Sequence, residues 1–146
     1  MKRDIVIFDL DGTLADIAHR RHLVRGRPKR WQAFFEACVN DQPNAPVIAA
    51  YQAFRHAPLP YELWIFSGRS DIVRPQTERW IETHVGPWDH LLMRRDGDHT
   101  ADEELKRNWV EPIRHRVLCV FDDRDKVVNM WRALGIACFQ VAEGNF

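Results

Sequence analysis

Five short, unbroken apolar runs constrain what this chain can fold into: IVIF (Ile5–Phe8), ELWIF (Glu62–Phe66), LLM (Leu91–Met93), VLCVF (Val117–Phe121) and ACFQV (Ala137–Val141). A strand with one wet face alternates apolar and polar residues. Runs without alternation belong to strands covered on both faces, as in parallel sheets flanked by helices. Helix-like stretches separate the runs. PQTERWIETHV opens on Pro75, suited to a first helical turn. TADEELKRNWVEPI offers Thr100 as a cap, acids in its first turn and an apolar pair, Leu105 and Trp109. DKVVNMWRALG stops at Gly135. The alternation predicts an α/β fold of three layers, a five-stranded parallel sheet between helices. At 146 residues, 45% of them hydrophobic, the chain is expected to form one domain, residues 1–146.

One connection is too long. Residues 14–61 exceed a single crossover helix. WQAFFEACV and APVIAAYQAFRHA both read as amphipathic helices, and DIAHRRHLV adds a third helical piece. We expect one crossover helix, about Ala45–His56, preceded by a small helical cap at about residues 15–44.

Lys+Arg and Asp+Glu both number 21, so the chain has no net charge with which to coat a nucleic acid. That balance permits a local basic patch. Residues 19–30, HRRHLVRGRPKR, contain no acid and read either as a path for a nucleic-acid backbone or as a solvated surface. Trp31 beside them is expected in the core, the other reading being a base-stacking surface. His19 and His22 share a helical face but make a poor metal pair. Asp96-Gly97-Asp98 reads as a turn, with Arg95 or Asp98 as a candidate substrate contact. Cys38, Cys119 and Cys138 are odd in number and form no CxxC, which disfavours zinc and disulfides. The N-terminus runs straight into a strand without a signal peptide, and no apolar run reaches membrane-spanning length. The expected compartment is cytoplasmic, with no membrane partner.

Ligands of parallel α/β sheets bind beyond the carboxyl ends of the strands. Asp9, Asp11, Gly12 and Thr13 follow the first run, and Ser67, Gly68 and Arg69 the second. Asp122, Asp123 and Arg124 follow the fourth, with Lys106 on the helix before it. Gathered acids repel one another unless a hard cation neutralises them, and an all-oxygen set suits Mg²⁺. Lysine, serine and backbone N–H groups beside it suit a phosphate. The spacing is not that of an EF-hand, since counting from Asp9 puts Gly12 at position four and Arg20 at position twelve. Asp122 and Asp123 could also cap the helix that follows.

FDLDGT (Phe8–Thr13) resembles the first motif of the haloacid dehalogenase (HAD) superfamily of phosphatases, FSGR its second, Lys106 its third and FDDR its fourth. More narrowly, DLDGTLAD, FSGR, RRDGD, FDDRDKVVNMWRALGI and CFQVAEGNF are similar to the 3′-phosphatase domain of phage-type polynucleotide kinase/phosphatases. The resemblance covers essentially the whole chain. It implies a HAD-like (Rossmannoid) fold with a small cap after the first strand, and a Mg²⁺-dependent phosphomonoesterase. By that resemblance Asp9 attacks phosphorus, and Asp11 protonates the leaving oxygen and then deprotonates water. Mg²⁺ is implied to sit on the Asp9 carboxylate, the Asp11 main-chain carbonyl and Asp123, with Asp122 in support. Ser67 and Lys106 would take the phosphoryl oxygens. Arg69 would hold substrate or order the loop, with Thr13 and Arg95 as further substrate-binding candidates.

The implied substrate is a DNA or RNA 3′ end. A small substrate, as for a 5′(3′)-deoxyribonucleotidase or a sugar phosphatase, is the nearest alternative. A non-catalytic binding module would be expected to have lost Asp9, Asp11 or Lys106, and all are present. The kinase of that family needs a P-loop, and no G-x-x-x-x-G-K-[ST] occurs here. Only the phosphatase half is expected from this chain, with any kinase or ligase as a separate partner.

Overall fold

A computed structural model describes residues 2–146. Its main sheet has five parallel strands, β1 (Ile5–Asp9), β4 (Glu62–Ser70), β5 (His90–Arg94), β6 (Val117–Asp122) and β7 (Cys138–Gln140). They lie in the order β5-β4-β1-β6-β7, so β1 is central. Every residue of β1 is buried, as its unalternating sequence requires. Successive side chains point to opposite faces. Val6 and Phe8 join one core with α3 (Ala45–Arg55) and α4 (Arg74–His84), through Tyr51 and Trp80. Ile5 and Ile7 join the other with α5 (Asp102–Val110) and α6 (Asp125–Ala133), through Val110, Val127 and Trp131. The result is the three-layer α/β fold the sequence predicts. Pro75 lies in the first turn of α4, and Gly135, at φ 76°, follows the end of α6.

Several local expectations are corrected. The insert after β1 is not wholly helical. Its base is a two-stranded antiparallel sheet, β2 (Ala15–Asp16) with β3 (Gln42–Pro43). Each strand is two residues long, too short to show a period. Between them lie α1 (His22–Arg25), α2 (Trp31–Glu36) and turns of 3₁₀ helix at Ala18–Arg20 and Ala37–Asn40. FSGR does not follow its strand: β4 continues to Ser70, its register against β5 shifting between Ser67 and Ser70. Thr100 does not cap α5. Its hydroxyl donates to Asp98 at 2.7 Å, and Ala101 stands at the cap without a side-chain bond. Asp122 and Asp123 do not cap α6, which begins one residue beyond Arg124. Trp31 is not a core residue: 48% of it is exposed. The three cysteines are buried and free. No helix among the described residues is long and apolar enough to cross a membrane.

Candidate active site

The carboxyl ends of β1 and β6 lie side by side, since Phe8 pairs with Phe121. Asp9, Asp122 and Asp123 therefore converge. All three are buried, and each offers an oxygen within 4.8 Å of the others. Lys106 reaches in from α5, its Nζ donating to Asp9 Oδ1 at 2.8 Å and to Asp122 Oδ2 at 3.0 Å. Thr13 donates its hydroxyl to Asp9 Oδ2 at 2.9 Å, so both oxygens of that carboxylate are oriented. Thr13 is fully buried. Gly12 turns the chain at φ 83°, where an added Cβ would collide with the Asp123 carboxylate.

One ammonium does not balance three carboxylates. Burial, and then the Asp122 charge, push Asp9 well above the ordinary carboxylate range. The same two causes raise Asp123 to about 6. Burial opposes the charge on Lys106, but Asp122 and Asp9 outweigh it and hold the lysine protonated. A buried, all-oxygen set with surplus negative charge fits a hard divalent cation.

Asp11 points away from this cluster into a second one. Its Oδ1 accepts from Arg20 at 2.8 Å and from Arg69 Nε at 2.9 Å. Both guanidiniums are fully buried and converge on Asp41. Arg20 Nε donates to Asp41 Oδ1 and Arg69 to Asp41 Oδ2, at 2.8 and 2.7 Å. His19 Nε2 approaches Asp41 Oδ1 at 2.7 Å, and Trp80 donates to the Asp41 main-chain oxygen at 2.9 Å. Arg20 also lies 4.3 Å over the Phe34 ring. Burial would raise the Asp11 carboxyl, but Arg69 and Arg20 outweigh it and hold it below the usual range.

Ser67 is fully buried, and its Oγ accepts from the Arg69 amide at 3.2 Å. Arg95 is exposed, and no side-chain hydrogen bond involves it among the described residues. Its neighbour Arg94 turns inward instead, donating to Gly68 O at 2.9 Å and Asp102 Oδ1 at 2.6 Å. Arg124 donates to the other Asp102 oxygen at 3.2 Å. Arg69, an expected substrate contact, has its guanidinium spent on Asp11, Asp41 and Thr77.

Sequence reasoning did not find Asp41, Asp102 and Arg94, and it put Arg20 in the surface patch. Asp41 follows no strand and sits in no recognisable spacing. Arg20 lies within a run in which Arg25, Arg27, Lys29 and Arg30 face solvent. A signal did exist for Asp102, which precedes Lys106 by one helical turn and so shares its face.

The strand order and the acids at the sheet's carboxyl edge define a class, the HAD-type phosphatases. CbbY from Rhodobacter sphaeroides, solved in complex with phosphate, shares the fold at a TM-score of 0.60 and 16% identity, over 100% of this chain and 88% of that one. Residues 3–146 match the family described as the polynucleotide kinase PNKP phosphatase domain, and the chain belongs to that family. It is thus a phosphoric monoester hydrolase by class. A chain of the Pnkp1/Rnl/Hen1 RNA repair complex is 34% identical, with a TM-score of 0.77 over 98% of this chain and 44% of that one. A protein of Autographa californica nuclear polyhedrosis virus, bearing the name bifunctional polynucleotide kinase/RNA ligase, is 30% identical over 90% of this chain. The chain spans 18% of that viral protein and less than half of the RNA-repair chain.

Proposed function

We propose that this chain is a Mg²⁺-dependent phosphatase that removes the 3′-phosphate from nucleic-acid ends through an aspartyl-phosphate on Asp9. The observation carrying the chemistry is the arrangement around Asp9, whose carboxylate is oriented by Thr13 and Lys106 beside two further buried acids. An Asp9 oxygen bonds to phosphorus as the P–O3′ bond breaks, and Asp11 gives the departing oxygen a proton. Water then attacks phosphorus, Asp11 takes its proton, and the Asp9–phosphorus bond breaks. Both arginines donate to Asp11 Oδ1, which leaves Oδ2 for the proton. Their charge suits the base half of the cycle; an arriving phosphate dianion would raise Asp11 towards its acid form. Lys106 and Ser67 would hold phosphoryl oxygens as charge builds. Asp9, Asp122, Asp123 and the Asp11 carbonyl would hold Mg²⁺, which when bound offsets the repulsion between nucleophile and phosphate. We assign Arg69 to ordering Asp11 and Thr13 to orienting Asp9.

The polymer substrate rests on the family and on relatives named for polynucleotide kinase, RNA ligase and RNA repair. Residues 1–146 would then act as one phosphatase domain with a cap at about 15–44. Kinase or ligase activity would come from other modules or partners. Three free, buried thiols suit a reducing cytoplasm. The test is phosphate release from 3′- and 5′-phosphorylated DNA and RNA oligonucleotides and from mononucleotides, with Mg²⁺ or EDTA. Preference for 3′-phosphorylated oligonucleotides, abolished by EDTA, is expected. Preference for mononucleotides would instead make the chain a nucleotidase.

A further inference from the structure

We infer that Trp31 is the floor of a subsite on the insert that takes an unpaired base of the substrate strand, upstream of the reacting phosphate. The inference rests on the nucleic-acid reading above and adds where the strand is gripped. An open hollow of about 530 Å³ lies at the start of α2, lined by Lys29, Arg30, Trp31, Gln32, Ala33 and Glu36. Trp31 is 48% exposed, a large indole left in water. Two rings hold it: it meets Phe34 edge-on at 5.8 Å and lies nearly parallel to Phe35 at 5.9 Å. A fixed, half-exposed aromatic surface is what base stacking needs, because the ring loses little freedom on binding.

The charge around it fits the strand's backbone. Lys29 Nζ lies over the indole face, 5.6 Å from its centre, and would move to a backbone phosphate as a base takes its place. Arg25, Arg27, Lys29 and Arg30 are all exposed, and none belongs to an ion pair among the described residues. The one acid lining the hollow, Glu36, accepts from Gln32 at 3.1 Å. A row of free cations beside a stacking ring is the pairing by which proteins hold single strands without reading sequence.

The hollow also connects to the chemistry. Trp31 packs on Phe34, Phe34 lies under Arg20, and Arg20 donates to Asp11. Each link is shorter than 6 Å. On this proposal a base on Trp31 belongs to the nucleotides preceding the end held at Asp9. A mononucleotide or a small phosphate ester would not extend that far.

The experiment measures binding of a fluorescein-labelled, single-stranded oligonucleotide with a 3′-hydroxyl by anisotropy, to the wild-type chain and to Trp31→Ala and Trp31→Phe. We expect about a tenfold loss of affinity in Trp31→Ala and recovery of most of it in Trp31→Phe, the step expected when one base loses its stacking partner. In turnover, Trp31→Ala should raise KM for a 3′-phosphorylated oligonucleotide by a similar factor. Its kcat, and hydrolysis of a chromogenic phosphate ester, should not change. Unchanged oligonucleotide affinity in Trp31→Ala, or a wild-type chain that binds the oligonucleotide no better than a mononucleotide, overturns the subsite. Tryptophan-dependent binding without release of a 3′-phosphate overturns the 3′-phosphatase reading and leaves the subsite standing.

Discussion

Asp41 carries more of the candidate site's geometry than its place in the sequence suggests. Its two oxygens draw Arg20 and Arg69 together, and each arginine then donates a further hydrogen bond to Asp11. Asp41→Asn replaces one acceptor by a donor facing a buried guanidinium. Stability should fall by about 3 kcal/mol, the usual cost of breaking a buried charge network, read as a lower denaturant midpoint. The value of kcat, measured well below the melting temperature, should fall at least about tenfold as Asp11 loses its orientation. Asp123→Asn tests the electrostatics with the opposite sign. In the folded chain Asp123 titrates at about 6 against an ordinary 3.8. The folded state thus holds its proton more tightly than the unfolded state does. The stability this contributes is complete below pH ~4 and is lost as pH rises through about 6. In EDTA, Asp123→Asn should match the wild-type chain at pH 4 and be the more stable of the two at pH 7.5. Adding Mg²⁺ should stabilise the wild-type chain and hardly affect the variant. Equal melting shifts at both pH values would contradict the raised value.

At the scale of elements, the turn from β1 into the insert couples fold to site. Gly12→Ala puts a Cβ at positive φ and against the Asp123 carboxylate. Stability should drop by about 1–3 kcal/mol, and the Mg²⁺ concentration for half-maximal activity should rise. A variant with wild-type stability and Mg²⁺ dependence would show that this turn does not set the acid cluster. The same element shows what a sequence exposes. The five strands were legible because Val, Ile, Phe and Leu run without alternation, although β7, at the edge of the sheet, leaves Phe139 and Gln140 exposed rather than covered on both faces. Asp9, Asp122 and Asp123 could be placed together because each follows such a run. Lys106 could be placed because it is the one lysine between the third and fourth runs. The β2–β3 pair was not legible, since two residues carry no period. Asp41 was hidden because its partners are 21 and 28 residues away and only the folded insert brings them close. Trp31 looked like core because hydrophobicity alone cannot tell a buried ring from one left exposed.

For the whole molecule, a neutral chain keeps exposed cations on the insert and three buried acids at the carboxyl edge of the sheet. Neutralising Arg25, Arg27 and Arg30 together should raise KM for a 3′-phosphorylated oligonucleotide. It should also reduce the slope of log KM against log salt by about 2, since fewer counterions are displaced. Hydrolysis of a small ester should be unaffected; equal effects on both substrates would favour a cap that closes over a mononucleotide. The whole arrangement converges on one bond, from an Asp9 oxygen to phosphorus, and that bond can be trapped. A 3′-³²P-labelled oligonucleotide is mixed with Mg²⁺ and the wild-type, Asp9→Asn or Asp11→Asn chain, and the reaction is quenched in acid within milliseconds. Label should remain on the wild-type protein, be released by hydroxylamine as an acyl phosphate is, and map to the peptide containing Asp9. Asp9→Asn should retain none and turn over at less than about a tenth of the wild-type rate. Asp11→Asn should form and lose the adduct more slowly, because one carboxylate serves both steps. Rapid phosphate release by Asp9→Asn, or label on any other residue, would contradict the assignment of Asp9 as the nucleophile.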